Sequence, residues 1–167
     1  MSTKHTKKHI SCAVMIILII AFDQITKYFA SLHLKDGSIA KFIPGVVQFR
    51  YAENTGMAFS MLSGARWLFI AVTLVVCIGV LWYMFSNKCK NLWLYWSLGV
   101  IVSGGIGNLI DRALNGFVID FIEPVFVDFA VFNIADCAVT CGAVSLFIYL
   151  AFDIINDMKS SKGKSNG

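Results

Sequence analysis

The sequence predicts an α-helical integral membrane protein: four transmembrane helices with a small β-sheet on the extracytoplasmic side, organised as one domain over residues 1–167. Three observations lead there. The chain is 57% hydrophobic and only 14% charged, with a mean hydropathy of +0.72, a balance foreign to soluble domains of this size. Four apolar runs, about 10–32, 67–85, 92–109 and 134–155, each approach the roughly 20 residues that a bilayer crossing requires. One connection between them alternates apolar and polar side chains with the period of a strand.

The first run follows Lys4, Lys7 and Lys8, so its basic start and apolar stretch from Ile10 to Phe22 also fit a secretory signal peptide. No small-x-small cleavage site follows. Asp23, Gln24 and Lys27 interrupt the run, which then continues through Tyr28, Phe29 and Leu32. This favours an uncleaved helix with a polar outer end. Asp23 and Lys27, four residues apart, share a helical face and can pair.

Between the first and second runs, the region 38–60 reads as β structure. Val47, Phe49 and Tyr51 alternate with Gln48, Arg50 and Ala52 after a Pro44-Gly45 turn, the pattern of a half-buried strand. The second and third runs are joined by a short link bearing Lys88 and Lys90. After the third, FVIDFIEPVFVDFAVF is rich in β-branched and aromatic residues, and Pro124 breaks any continuous helix. A fold-back there could return Asp120 to face Asp136 at the start of the fourth run.

Orientation follows from the lysines. The N-terminal tail, the Lys88 and Lys90 link, and the tail with Lys159, Lys162 and Lys164 lie on one side of a four-pass chain, which the positive-inside rule makes cytoplasmic. Both termini are then cytoplasmic, and connections 35–66 and 111–133 face outward. The net charge of +4 reports topology and gives no ground for nucleic-acid binding.

Chemistry is concentrated near the outer helix ends. Asp120 in GFVID and Asp136 in FNIAD stand beside membrane-spanning sequence, where a carboxylate is costly unless paired, solvated or protonated. Two nearby carboxyls cannot both ionise, so one keeps a proton while the other serves as a base, the division of labour that peptide hydrolysis needs. Asn108, Asp111 and Arg112 are spaced three and four apart on one helical face, and Asn133 and Asp136 are likewise one turn apart. Asn offers a donor and an acceptor for orienting a carboxylate or peptide carbonyl. Arg112 offers a planar cation for a carboxylate or phosphate.

Other chemistries lack their residues. The histidines are His5, His9 and His33, with no HExxH, and no serine sits in GxSxG, so no metal or cofactor is expected. Cys12, Cys77, Cys89, Cys137 and Cys141 show no CxxC spacing and read as small core hydrophobes.

The segments FDQITK (22–27), AENTGMAFS (52–60), GGIGNLIDR (104–112), VIDF (118–121) and FNIAD (132–136) occur in this order. On these the chain resembles bacterial lipoprotein signal peptidase, also called signal peptidase II. The resemblance implies an intramembrane aspartic endopeptidase of the bacterial plasma membrane. Such an enzyme cleaves signal peptides from diacylglyceryl-modified prolipoproteins just before the lipobox cysteine. It implies Asp120 and Asp136 as the catalytic pair, with Asn54, Gly56, Asn108, Arg112 and Asn133 lining the site or orienting the pair. Asp23, Lys27 and Asp111 are read as structural polar residues. The implied architecture is four helices with a β-cradle and an arm over the site. The implied partners are lipid-modified prolipoproteins and membrane phospholipid, with the protein a monomer. Two departures stand out: Met57 where alanine is common, and Cys137 where serine is common.

A proton-coupled small membrane transporter or channel subunit is the alternative, since intramembrane carboxylates also relay protons. It explains the acids, but the chain shows no inverted repeat or paired broken helices. A structural ion pair or helix cap remains the plain alternative for Asp120 and Asp136 on position alone. For Asp111 and Arg112 it is a local brace at the helix end, and for Glu123 and Asp128 solvated loop carboxylates.

Overall fold

The computed structural model describes residues 3–56, 66–86 and 88–165. Its elements run α1 (Thr3–Leu34), β1 (Ile39–Ile43), β2 (Val47–Asn54), α2 (Arg66–Phe85), α3 (Leu92–Leu114), β3 (Val118–Pro124) and α4 (Ile134–Ser165). All four helices are long and apolar enough to cross a membrane. Ile17, Phe22, Val75 and Phe147 stand exposed on α1, α2 and α4, the side chains that hydrocarbon would cover. Met57 and residues 58–60 of the expected β region lie outside the described residues.

Three helices outrun the apolar stretches that predicted them. Helix α3 continues past Leu109 to Leu114, with Asp111 of its last turn buried against protein while Ala113 and Leu114 stand exposed, and it closes with Asn115 N–H donating to the Asp111 carbonyl (2.7 Å). Its start is capped by Asn91, whose side chain accepts from Leu94 N–H (3.1 Å). Helices α1 and α4 extend through basic turns, from Thr3 and to Ser165, which hydropathy alone could not mark as helical. Helix α3 is central: α1, α2 and α4 all lie against it. Gly104 and Gly107 permit the approach of its neighbours. A Cβ on Gly104 would meet the Ala135 carbonyl oxygen, and one on Gly107 would stand 2.8 Å from Asp23 Oδ2.

The sheet is antiparallel, in the order β1-β2-β3. Pro44 and Gly45 form the turn between β1 and β2. Gly45 has φ of +74° and Val46 N–H donates to the Ile43 carbonyl (3.0 Å), as a turn with proline then glycine at its centre requires. Strand β3 enters from the connection between α3 and α4 and ends at Pro124, pairing Ala52 with Asp120 and Asn54 with Val118. Ile122 also bridges to Phe132, so the chain doubles back along β3 before α4 begins. The sheet rests on the C-terminal end of α1, where Phe121 joins Ala30 and Leu34 in a buried cluster. Glu123, expected as a loop carboxylate, lies on β3. There Arg50 (2.7 Å) and Gln48 (2.7 Å) across the strand hold it and keep its carboxyl below the usual range. Asp128 is exposed in the following loop.

Candidate active site

Two local rules of chain folding deliver the acids. On β2 and β3, Asn54 and Asp120 occupy the same face as diagonal neighbours, because the register pairs Asp120 with Ala52, two residues before Asn54. Asn54 Nδ2 accordingly donates to Asp120 Oδ2 (3.0 Å). Asn133 precedes the first residue of α4 and Asp136 is the third, the spacing of a capping box. Asp136 N–H donates to Asn133 Oδ1 (2.9 Å), and Asn133 N–H donates back to Asp136 Oδ2 (3.2 Å). The polar cluster FNIAD is thus a helix start in which the capping acid faces the cavity.

Asn133 ties the two acids together. Its Nδ2 donates to Asp120 Oδ1 (2.6 Å), to the Ile119 carbonyl (3.3 Å) and to Asn108 Oδ1 (3.1 Å), and the residue is fully buried. Asn108 Nδ2 donates to Asp136 Oδ1 (2.7 Å). Asp120 is 2% exposed. Burial first, and then the charge of Asp136, push its carboxyl up to about 7 against the opposing hydrogen bonds of Asn54 and Asn133.

Both acids line a cavity of about 790 Å³. Its polar end holds Asn54, Asn108, Arg112, Asp120 and Asp136. Away from them it runs between α2 and α4 across the face of α3, past Phe69, Val72, Val76, Val80 and Ile101. Val72 and Val76 are also exposed on the outer side of α2, so this apolar end is a cleft open toward the hydrocarbon that would surround the helices. Cys137 and Cys141 lie on its α4 wall and Cys77 on its α2 wall.

The remaining polar residues divide into two groups. Arg112 and Asp111 point different ways, as adjacent helical residues must, so no brace links them. Arg112 Nη2 donates to the Gly56 carbonyl (2.8 Å) and its guanidinium lies over the Phe69 ring (5.1 Å). Gly56 N–H donates in turn to Asn54 Oδ1 (3.0 Å), so Arg112, Gly56 and Asn54 form a chain ending on Asp120. Asp111 instead joins Asp23 around Lys27, with Nζ 3.0 Å and 2.8 Å from their carboxylates. All three are at most 2% exposed.

Gln24 is the site residue that sequence reasoning passed over. Its Nε2 reaches Asp23 Oδ2 (3.2 Å), the Gly107 carbonyl (3.2 Å) and Asp111 Oδ1 (3.0 Å). A neutral amide next to Asp23 in an apolar run was the available signal. Among the described residues, no group of three or more His, Cys, Asp or Glu is placed to hold a metal ion.

Comparison with known proteins gives one answer. The family model described as signal peptidase (SPase) II matches residues 15–152. A protein named lipoprotein signal peptidase from Streptococcus pyogenes serotype M6 is 42% identical over 135 residues, covering 81% of this chain and 89% of the relative. Another of that name from Streptococcus pneumoniae is 38% identical over 150 residues, covering 90% and 98%. A bacterial membrane enzyme solved by the in meso method at 2.3 Å resolution superposes with a TM-score of 0.83 at 32% identity, over 87% of this chain and 90% of that one. A second, at 1.9 Å, gives 0.76 at 32% identity over 84% and 92%. Nothing in these comparisons supports a transporter or channel. With four apolar helices, three antiparallel strands and a paired-acid cavity at their junction, the chain belongs to the signal peptidase II family, aspartic peptidases of bacterial membranes.

Proposed function

We propose that Asp120 and Asp136 are the catalytic pair of a peptidase that cuts the signal peptide from diacylglyceryl-modified prolipoproteins immediately before the lipobox cysteine. The observation that carries this reading is the shared cavity: two acids, linked through Asn133 and Asn108, stand at the polar end of an otherwise apolar cleft. Asp120, raised to about 7 by burial and by its neighbour, brings the proton, and Asp136 acts as the base. Asp136 takes a proton from water as the oxygen attacks the scissile carbonyl, while Asp120 donates to the developing oxyanion. Collapse of the tetrahedral intermediate breaks the C–N bond, returns a hydroxyl proton of the gem-diol to Asp120, and passes the proton gained by Asp136 to the leaving amine.

The apolar cleft accounts for the substrate class. A helical signal peptide and two acyl chains can approach sideways between α2 and α4, leaving the scissile bond beside the acids. Asn54 at the end of β2, Gly56 just after it and Arg112 on α3, joined in one hydrogen-bonded chain, border that position. The positive-inside distribution of lysines supports cytoplasmic termini and an outward-facing sheet. The exposed apolar side chains of α1, α2 and α4, Ile17, Val75 and Phe147 among them, support a setting in phospholipid.

The test is release of signal peptide, followed by mass, from purified protein incubated with diacylglyceryl-modified precursor. Asp120→Asn and Asp136→Asn should each insert normally and lose at least about 100-fold in rate, the low end of what a general acid or base supplies. Unlipidated precursor should be cut poorly. Cleavage at the wild-type rate by either variant refutes the assignment.

A further inference from the structure

Each carboxylate of the buried ion triad holds the backbone one residue before an acid of the pair. Ile119 N–H donates to Asp111 Oδ2 (3.0 Å), immediately before Asp120. Ala135 N–H donates to Asp23 Oδ1 (2.8 Å), immediately before Asp136. Lys27 joins the two carboxylates and spends its third N–H on Asn108 Oδ1 (2.9 Å), so all three of its donors are used. This third bond has a directional consequence. With the ammonium and Asn133 Nδ2 both on Asn108 Oδ1, the Asn108 amide can present only its NH₂ to Asp136. A flipped amide would set its oxygen against a carboxylate and its NH₂ against an ammonium.

We propose that Lys27, Asp23 and Asp111 are the positioning frame of the catalytic pair, setting the separation of Asp120 and Asp136 from behind and locking the Asn108 amide toward Asp136. The proposal rests on the reading of those two acids as catalytic. None of the frame residues touches the cavity, so they are positioning residues. A buried ion pair is a poor source of stability, whereas a displacement of reacting groups by about 1 Å costs on the order of 100-fold in rate. The geometry suits the second use. Gln24, bonded to both frame carboxylates, fixes the spacing between them.

The test is the double variant Lys27→Met with Asp111→Asn. It removes one positive and one negative charge, so the net charge of the site is unchanged, and the amide oxygen that replaces the Asp111 carboxylate can still accept from Ile119 N–H. Thermal unfolding in detergent and cleavage of diacylglyceryl-modified precursor are measured side by side. Asp23 keeps its charge and loses its counter-ion, so the melting midpoint falls; in protein still folded at the assay temperature, kcat is expected lower by about 100-fold and KM within about threefold. A folded double variant with kcat within threefold of wild type overturns the frame. Should the double variant not fold, Asp111→Asn alone decides: kcat lower by at least fivefold at unchanged KM supports the frame, and an unchanged kcat overturns it. Asp120→Asn and Asp136→Asn, assayed in parallel, separate the two readings. If they are inactive while the double variant is fully active, only the frame fails. If they are active, the catalytic assignment itself fails.

Discussion

Asp120→Asn should make the protein less active and, at alkaline pH, comparatively more stable. The carboxyl is raised from 3.8 to about 7 in the folded protein. A raised acid favours the fold while protonated, so its contribution is fully present below about pH 4 and is lost as pH climbs through about 7. Between about pH 5 and pH 8 the wild type should therefore lose roughly 2 to 3 kcal/mol from this group alone. Asparagine cannot ionise and carries no such loss. The substitution has its own fixed cost, because Asn54 and Asn133 both donate to Asp120 and the new NH₂ would face one of those donors, at about 1 to 3 kcal/mol. That cost is the same at every pH, which leaves the slope as the clean observable. Equilibrium unfolding in mixed micelles, followed by tryptophan fluorescence at several pH values, should show a wild-type decline that the variant lacks. Parallel pH profiles for the two proteins would refute the protonated Asp120 and the division of roles built on it.

Two further outcomes follow from packing. Gly107→Ala places a Cβ 2.8 Å from Asp23 Oδ2 and 3.2 Å from Ala135 Cβ, with the ion triad and the α4 start both in the way. A loss of about 1 to 3 kcal/mol in unfolding free energy is expected, with lower activity per folded molecule. Val76→Trp projects bulk into the apolar cleft from an exposed position on α2. KM for lipidated precursor should rise by roughly tenfold with kcat nearly unchanged, read from initial rates over a range of substrate mole fractions in lipid.

Much of the helical layer was legible because hydrocarbon imposes a simple rule: a span must be apolar over a fixed length. That rule breaks at Asn108, Asp111 and Arg112, where helix α3 continues into protein and its polar side chains meet partners from other elements. Strand β2 could be read from the alternation of Val47, Phe49 and Tyr51, and the absence of one continuous helix through 117–132 from Pro124. The register that pairs Asp120 with Ala52 could not, because an irregularity between Phe49 and Ala52 interrupts the pairing. Asp23 and Lys27 announced a local pair through their spacing. Nothing in one sequence indicates that Asp111 closes a triad with them, or that the triad grips residues 119 and 135. Such contacts arise from where three helices and a strand meet.

The sideways cleft between α2 and α4 changes what concentration means for this enzyme. A ligand that arrives through hydrocarbon is diluted by lipid and not by the volume of buffer, so its occupancy follows its mole fraction in the bilayer. Adding vesicles at a fixed amount of a greasy inhibitor would weaken apparent potency while the intrinsic affinity stayed the same. Titrations on this protein compare with one another only when the ratio of compound to lipid is stated.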